Sequence, residues 1–209
     1  GEQQRYWNGF TFAANGRLPK GIVIGGGLDT GRQVDDHCYT VDMPNQPAGL
    51  TGTQLNGGPF CRNVVEWADN LDFRLRGSIP LPKGFNTSFI YRNTPGAVLN
   101  STLNVSTASI AAGQVTFKDP TRTTMTTAQT VWLYAPNQEF GDRFTQLDIA
   151  VNKTFNIGWG RLTTSLDLYN ALNSSSVQSV ITAYSAARWL RPAQFLDARL
   201  IRFTSSITF

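Results

Sequence analysis

The only histidine of this chain, His37, follows two aspartates in Asp35-Asp36-His37, and a carboxylate beside an imidazole is a pairing that general acid–base chemistry uses. A catalyst also needs a nucleophile or a second acid–base partner converging on the same pocket, and the sequence offers neither. A capped loop accounts for the same three residues. The glycine run in "IGGGLDTG", residues 24–31, lies within a strand pattern, where small residues admit close neighbours or a bend rather than a phosphate. Enzymatic activity and a cofactor are therefore not expected. Cys38 and Cys61 flank "YTVDMPNQPAGLTGTQLNGGPF". An even count around a loop rich in Pro, Gly and Asn reads as a disulfide formed in an oxidising compartment, with two buried free thiols as the alternative. Two cysteines and one histidine without CxxC spacing make an incomplete metal site.

The remaining candidates are charges: Arg17, Asp29, Asp72, Arg74, Arg76, Arg92, Asp148, Asp167 and Arg202. They stand singly, mostly between apolar neighbours, on the polar parity of alternating segments. As structure they form a solvated wall whose cross-strand ion pairs contribute little; as function they would contact an enclosed domain or guide a solute. The net charge of +4, from 18 Lys and Arg against 14 Asp and Glu, makes no clustered basic stripe and does not point to nucleic acid.

The elements that must position these charges read as strands. "LDFRLRGSI" sets Leu71, Phe73, Leu75 and Ile79 opposite Asp72, Arg74, Arg76 and Ser78; "FNTSFIYRN" sets Phe85, Phe89 and Tyr91 opposite Asn86, Ser88 and Arg92. "FTFAANGRL", "GIVIGGGLDTGR", "FTQLDIAVNKTF", "RLTTSLDLYNAL" and a terminal segment from about Phe195 complete seven. Helical periodicity is nearly absent; residues 106–114 are the one soft candidate and lack a convincing stripe. Short turns follow the first, third and fifth strands, at Pro19, Pro80 and Asn156. Long polar segments follow the second, fourth and sixth, at roughly 33–69, 94–142 and 173–194. The pattern predicts an all-β, antiparallel up-and-down meander of about seven strands, with every short turn at one end.

Short turns on one side and long loops on the other are the signature of outer-membrane barrels. Strands of about 9–12 residues suit a tilted membrane strand, and no apolar run reaches the length of a transmembrane helix. The charged fraction of 15% is also well below the roughly 25% of soluble domains. Aromatics fall into two belts: Tyr6, Trp7, Trp67, Tyr91, Phe144, Tyr169 and Phe195 near the long loops, and Phe85, Phe155, Trp159 and Phe209 near the short turns. Residues 1–209 are thus expected to form part of a transmembrane β-barrel, with Arg74, Arg76, Arg92, Asp148, Asp167 and Arg202 facing its lumen.

The last segment, "RLIRFTSSITF", places Ile201, Phe203, Ile207 and Phe209 on one parity. It resembles the C-terminal sorting signal that the barrel-assembly machinery of Gram-negative bacteria recognises. "GDRFTQLDIAVNKTFNIGWGRLTTSLDLYNALNSSSV", followed by "WLRPAQFLDARLIRFTSSITF", is similar to the C-terminal end of TonB-dependent outer-membrane transporters, particularly Oar-like and carboxypeptidase-regulatory-like receptors. Asp142-Arg143, Asp148 and Tyr169-Asn170-Ala171-Leu172-Asn173 carry that likeness best. The resemblance implies an outer-membrane location, contact with lipid and lipopolysaccharide, and active uptake of a large, scarce nutrient. It also implies a plug domain and a TonB-coupling box, neither of which this segment contains; the chain is expected to be the last third of such a barrel. The alternative expectation is a surface β-sheet module for binding or edge-to-edge self-assembly.

Overall fold

The computed structural model describes residues 4–36, 38, 61–113, 116, 121, 124, 128–133, 135, 137, 139–185 and 187–209. It is all-β apart from one short helix. The strands are β1 (Gln4–Arg17), β2 (Val23–Asp36), β3 (Arg62–Val65), β4 (Asp72–Leu81), β5 (Phe85–Thr94), β6 (Thr102–Val105), β7 (Gln129–Trp132), β8 (Phe144–Asn156), β9 (Arg161–Tyr169), β10 (Val177–Val180), β11 (Pro192–Phe195) and β12 (Leu200–Thr208). The helix is α1 (Thr107–Ala111). β1, β2, β4, β5, β8, β9 and β12 pair side by side in chain order, all antiparallel. The all-β antiparallel meander is therefore observed, seven strands long within an eight-stranded sheet that β3 joins beside β2. The sheet is open, with β1 and β12 as its outer strands.

The long segments carry structure that alternation did not reveal. β3 pairs with the far end of β2, Gln33–Asp36, while β4 pairs with Val23–Asp29. β3 and β4 thus form one line beside β2, interrupted at residues 66–71. That interruption is pinned by the Thr30 hydroxyl donating to the Trp67 carbonyl (2.6 Å) and the Asn70 amide donating to the Gly31 carbonyl (2.8 Å). β6 pairs with β7, and β10 with β11. Phe195 closes β11 instead of opening the terminal strand, which begins five residues later at Leu200. The soft helical candidate is a single turn, held by a capping box in which Ser106 and Ser109 each accept the other's backbone N–H.

Two short turns have the same sequence and the same shape. Leu18-Pro19-Lys20-Gly21 and Leu81-Pro82-Lys83-Gly84 place Lys20 and Lys83 at φ 64° and 62°, followed by Gly21 and Gly84 at 78° and 79°. The left-handed region is natural for glycine and unfavourable for lysine.

The register staggers in one direction. Arg17 lies level with Val23, Ser78, Ser88, Ala150, Asp167 and Arg202 across the seven strands. Arg17 and Val23 are the turn-side end residues of their strands; Ser78 and Ser88 lie three residues inside theirs, and Ala150 and Asp167 six inside theirs. A step of three residues per hairpin, about 10 Å along two inter-strand spacings of about 4.8 Å, inclines the strands by about 45°. Strand tilts in closed barrels typically run from about 35° to 45°.

The same register sorts the side chains into two faces. Phe10, Phe12, Leu28, Phe73, Leu75, Phe89, Tyr91, Leu147, Ile149, Val151, Leu166, Leu168, Ile201, Phe203 and Ile207 share one face across every strand. Among the described residues the only buried hydrophobic side chains are Val34 and Val105. Phe12, Leu166, Ile201 and Phe203 remain 66%, 51%, 65% and 69% exposed. Among the described residues no second sheet or helix covers this face.

Candidate functional site

The polar face is the candidate site, and its composition follows from the alternate residues of the same strands. Arg74, Arg76, Arg92, Asp148, Asp167 and Arg202 all fall on it: Arg74 opposite Arg92, Arg76 opposite Ile90 and then Asp148, Asp167 opposite Arg202. The structure therefore brings the six expected residues to one surface. Directly opposed like charges repel, and the Arg74 guanidinium is drawn off to Asp72, donating from Nε at 2.9 Å and Nη2 at 2.7 Å. Asp167 accepts from both Nε and Nη2 of Arg202 (3.0 and 2.9 Å) and from the Ser165 hydroxyl, while the Arg202 guanidinium lies 5.1 Å from the centre of the Tyr169 ring. Asp148 accepts from the Gln146 amide at 2.9 Å and from the Asn170 backbone N–H at 2.9 Å. These ion pairs and hydrogen bonds make a fixed polar wall.

Toward β1 the wall changes character. Trp7, Gly9, Ala13, Gly25, Gly27 and Gly31 share this face, and the Trp7 indole occupies the space beside Gly9 and Gly31, where a Cβ on either would collide with the ring. Trp7, Phe144 and Tyr169 thus sit on the polar parity rather than in an aromatic band on the apolar face. Their position near the long loops suggested a belt, but alternation along their own strands, an odd number of residues from Phe10, Leu147 and Leu168, places them on the other side.

At the long-loop end, Arg143 is the clamp between three segments. Its guanidinium donates to the Ala68 and Leu71 carbonyls, to the Asn93 carbonyl and to Asn93 Oδ1 (2.7 Å). It lines a cleft of about 450 Å³ with Asp69, Gly96, Glu139 and Phe140. Asn170, 2% exposed and at φ 48°, is a second hub. Its amide donates to the Ser174 and Asp197 carbonyls, and its Oδ1 accepts from the Ser174 N–H; Asn173 accepts from the Arg199 N–H. Of the residues that carried the likeness, Asp148, Asn170 and Asn173 thus tie β8 and β9 to the segment before β12, while Arg143 ties the start of β8 to β5 and to the approach to β4.

Cys38 and Cys61 form a disulfide with Cα atoms 4.7 Å apart. Asp36 accepts from the Cys38 backbone N–H (3.0 Å) and Asp35 pairs with Arg5 (2.9 Å), so both aspartates fasten the base of the loop. His37 and residues 39–60 lie outside the described residues. Among the described residues no group of three metal-ligating side chains converges. The terminal set, Ile201, Phe203, Ile207 and Phe209, lies on the apolar parity of the outer strand β12, and Phe209 packs against Trp159 with ring centres 6.3 Å apart. No protein-family model, curated protein or solved structure matches this chain.

Proposed function

We propose that the chain is the C-terminal part of a TonB-dependent outer-membrane receptor, contributing about seven strands to a barrel through which a Gram-negative bacterium takes up a large, scarce nutrient. The observation that supports this reading best is the apolar face, which runs over seven strands and is uncovered among the described residues. Soluble monomers rarely expose a contiguous apolar patch above a few hundred Å², whereas lipid covers such a face at no cost. The stagger of the hairpins supports the same reading, because a barrel of tilted strands requires it. So does the segregation of short turns from long loops.

On this reading the wall of Arg74, Arg76, Arg92, Asp148, Asp167 and Arg202 faces the lumen and the plug, the long loops meet lipopolysaccharide, and Ile201, Phe203, Ile207 and Phe209 serve the barrel-assembly machinery. TonB would act through the plug. β1 and β12 are separated by an odd number of antiparallel neighbours and run in the same direction, so an antiparallel closure requires an odd number of bridging strands. The same free edges favour the second reading, a surface module that assembles edge to edge.

Nitroxide labels placed one at a time at residues 145–152 of the vesicle-reconstituted chain test the proposal. Thr145, Leu147, Ile149 and Val151 should be reached by lipid-dissolved oxygen, and Gln146, Asp148, Ala150 and Asn152 by a water-soluble nickel chelate. Aqueous access at all eight positions would favour the surface module.

A further inference from the structure

The charge of the chain is divided along the strands. Residues 13–27, 75–90, 149–166 and 203–209, which surround the three short turns and the end of β12, contain no Asp or Glu. They contain Arg17, Lys20, Arg76, Lys83, Lys153 and Arg161, including three of the four lysines in the chain. All 14 carboxylates lie elsewhere, with the remaining twelve cations. The ion pairs among the described residues, Arg5–Asp35, Arg32–Glu66, Arg62–Asp36, Arg74–Asp72 and Arg202–Asp167, draw on none of the six.

We propose that the short-turn end is a docking belt for anionic glycerophospholipid headgroups, a deepening that rests on the membrane reading above. Lys20 and Lys83 occupy the tips of identical Leu-Pro-Lys-Gly turns in a left-handed conformation that glycine or asparagine would adopt more readily. Local geometry therefore does not account for a lysine at either tip. Lys153 stands on the apolar face, level with Phe85, and its ammonium lies 4.5 Å from the Phe85 ring centre and 4.8 Å from that of Phe155. A long cation lying across aromatic rings at the rim of an apolar face carries its charge to the headgroup level while its stem stays among acyl chains. Leu18, Leu81, Trp159 and Phe209 are exposed at the same end, which gives the mixture of apolar and cationic side chains that a charged bilayer surface takes up. The complementary surface is negative, extended and adjacent to hydrocarbon, which describes an anionic leaflet rather than a free phosphate.

Density flotation of the refolded chain separates the two levels of the account. The probes are vesicles of phosphatidylcholine alone and vesicles containing about one-third phosphatidylglycerol. With the anionic vesicles, K20Q/K83Q/K153Q should lower the partition coefficient about 100-fold, from roughly five-fold per cation near a charged surface, and R188Q/R191Q/R199Q, which removes the same charge from the long-loop end, should change it far less. Half-molar salt should remove most of the difference. Equal partitioning of the unaltered chain into both vesicle types, or equal losses from the two triple variants, overturns the belt and leaves the membrane reading standing. Failure of the chain to float with either vesicle overturns the membrane reading itself.

Discussion

Asn170 and Arg143 each hold backbone groups of segments far along the chain. Asn170→Gly keeps the positive φ yet removes the bonds to Ser174 and Asp197. Because buried groups left unpaired cost about 1–3 kcal/mol each, the variant should lose about 3 kcal/mol in urea titrations of the vesicle-bound chain; a loss under about 0.5 kcal/mol would deny the hub its role. Arg143→Lys should be nearly as damaging as Arg143→Ala, since a single ammonium cannot reproduce a fork that reaches Ala68, Leu71 and Asn93 together. Full rescue by lysine, measured the same way, would show that charge alone matters there. The Cys38–Cys61 bond closes a loop of sequence separation 23, for which the chain-entropy relation gives about 3 kcal/mol. C38S/C61S should therefore lower stability by up to that amount and leave the strand signal in circular dichroism unchanged; collapse of that signal would place the disulfide in the fold itself rather than in the loop.

The elements are where sequence and structure agree most closely, for a physical reason. Side chains of a strand alternate with period two, so a sheet with one apolar face writes itself into residues such as Phe73-Arg74-Leu75-Arg76 whatever its partners are. Pairings between distant four-residue segments leave no such mark: Thr102 opposite Trp132 depends on loop geometry, and β3 is too short for its alternation to stand out. Stagger was equally hidden, because register belongs to pairs of strands; the side of Trp7 was not, since it lies three residues from Phe10 in the same strand and alternation alone puts it on the opposite face. The roles of Asn170 and Arg143 were marked only as part of a likeness, since a hub is defined by backbone groups far along the chain. Parity gives a prediction at this scale. Arginine replacing Leu147, Ile149 or Leu166 should cost about 2–4 kcal/mol in vesicle folding titrations, while arginine replacing Thr163 or Ser165 on the opposite face should cost far less. Equal penalties on the two faces would contradict the assignment of the apolar face to lipid.

At the scale of the whole molecule, only Val34 of the main sheet and Val105 outside it are buried hydrophobic side chains among the described residues, and the sheet has two unpaired outer edges. A soluble domain of comparable length removes most of its apolar surface from water internally; on the proposed reading lipid covers that surface here, and the edges then need further strands, because each unsatisfied backbone group in hydrocarbon costs several kcal/mol. Size-exclusion chromatography with light scattering, run on residues 1–209 with and without detergent, tests this most directly. No folded monomer of 23.0 kDa should exist in detergent-free buffer, and in detergent the chain should give edge-paired assemblies rather than a uniform closed monomer. A folded, monodisperse 23.0 kDa species in plain buffer would contradict it.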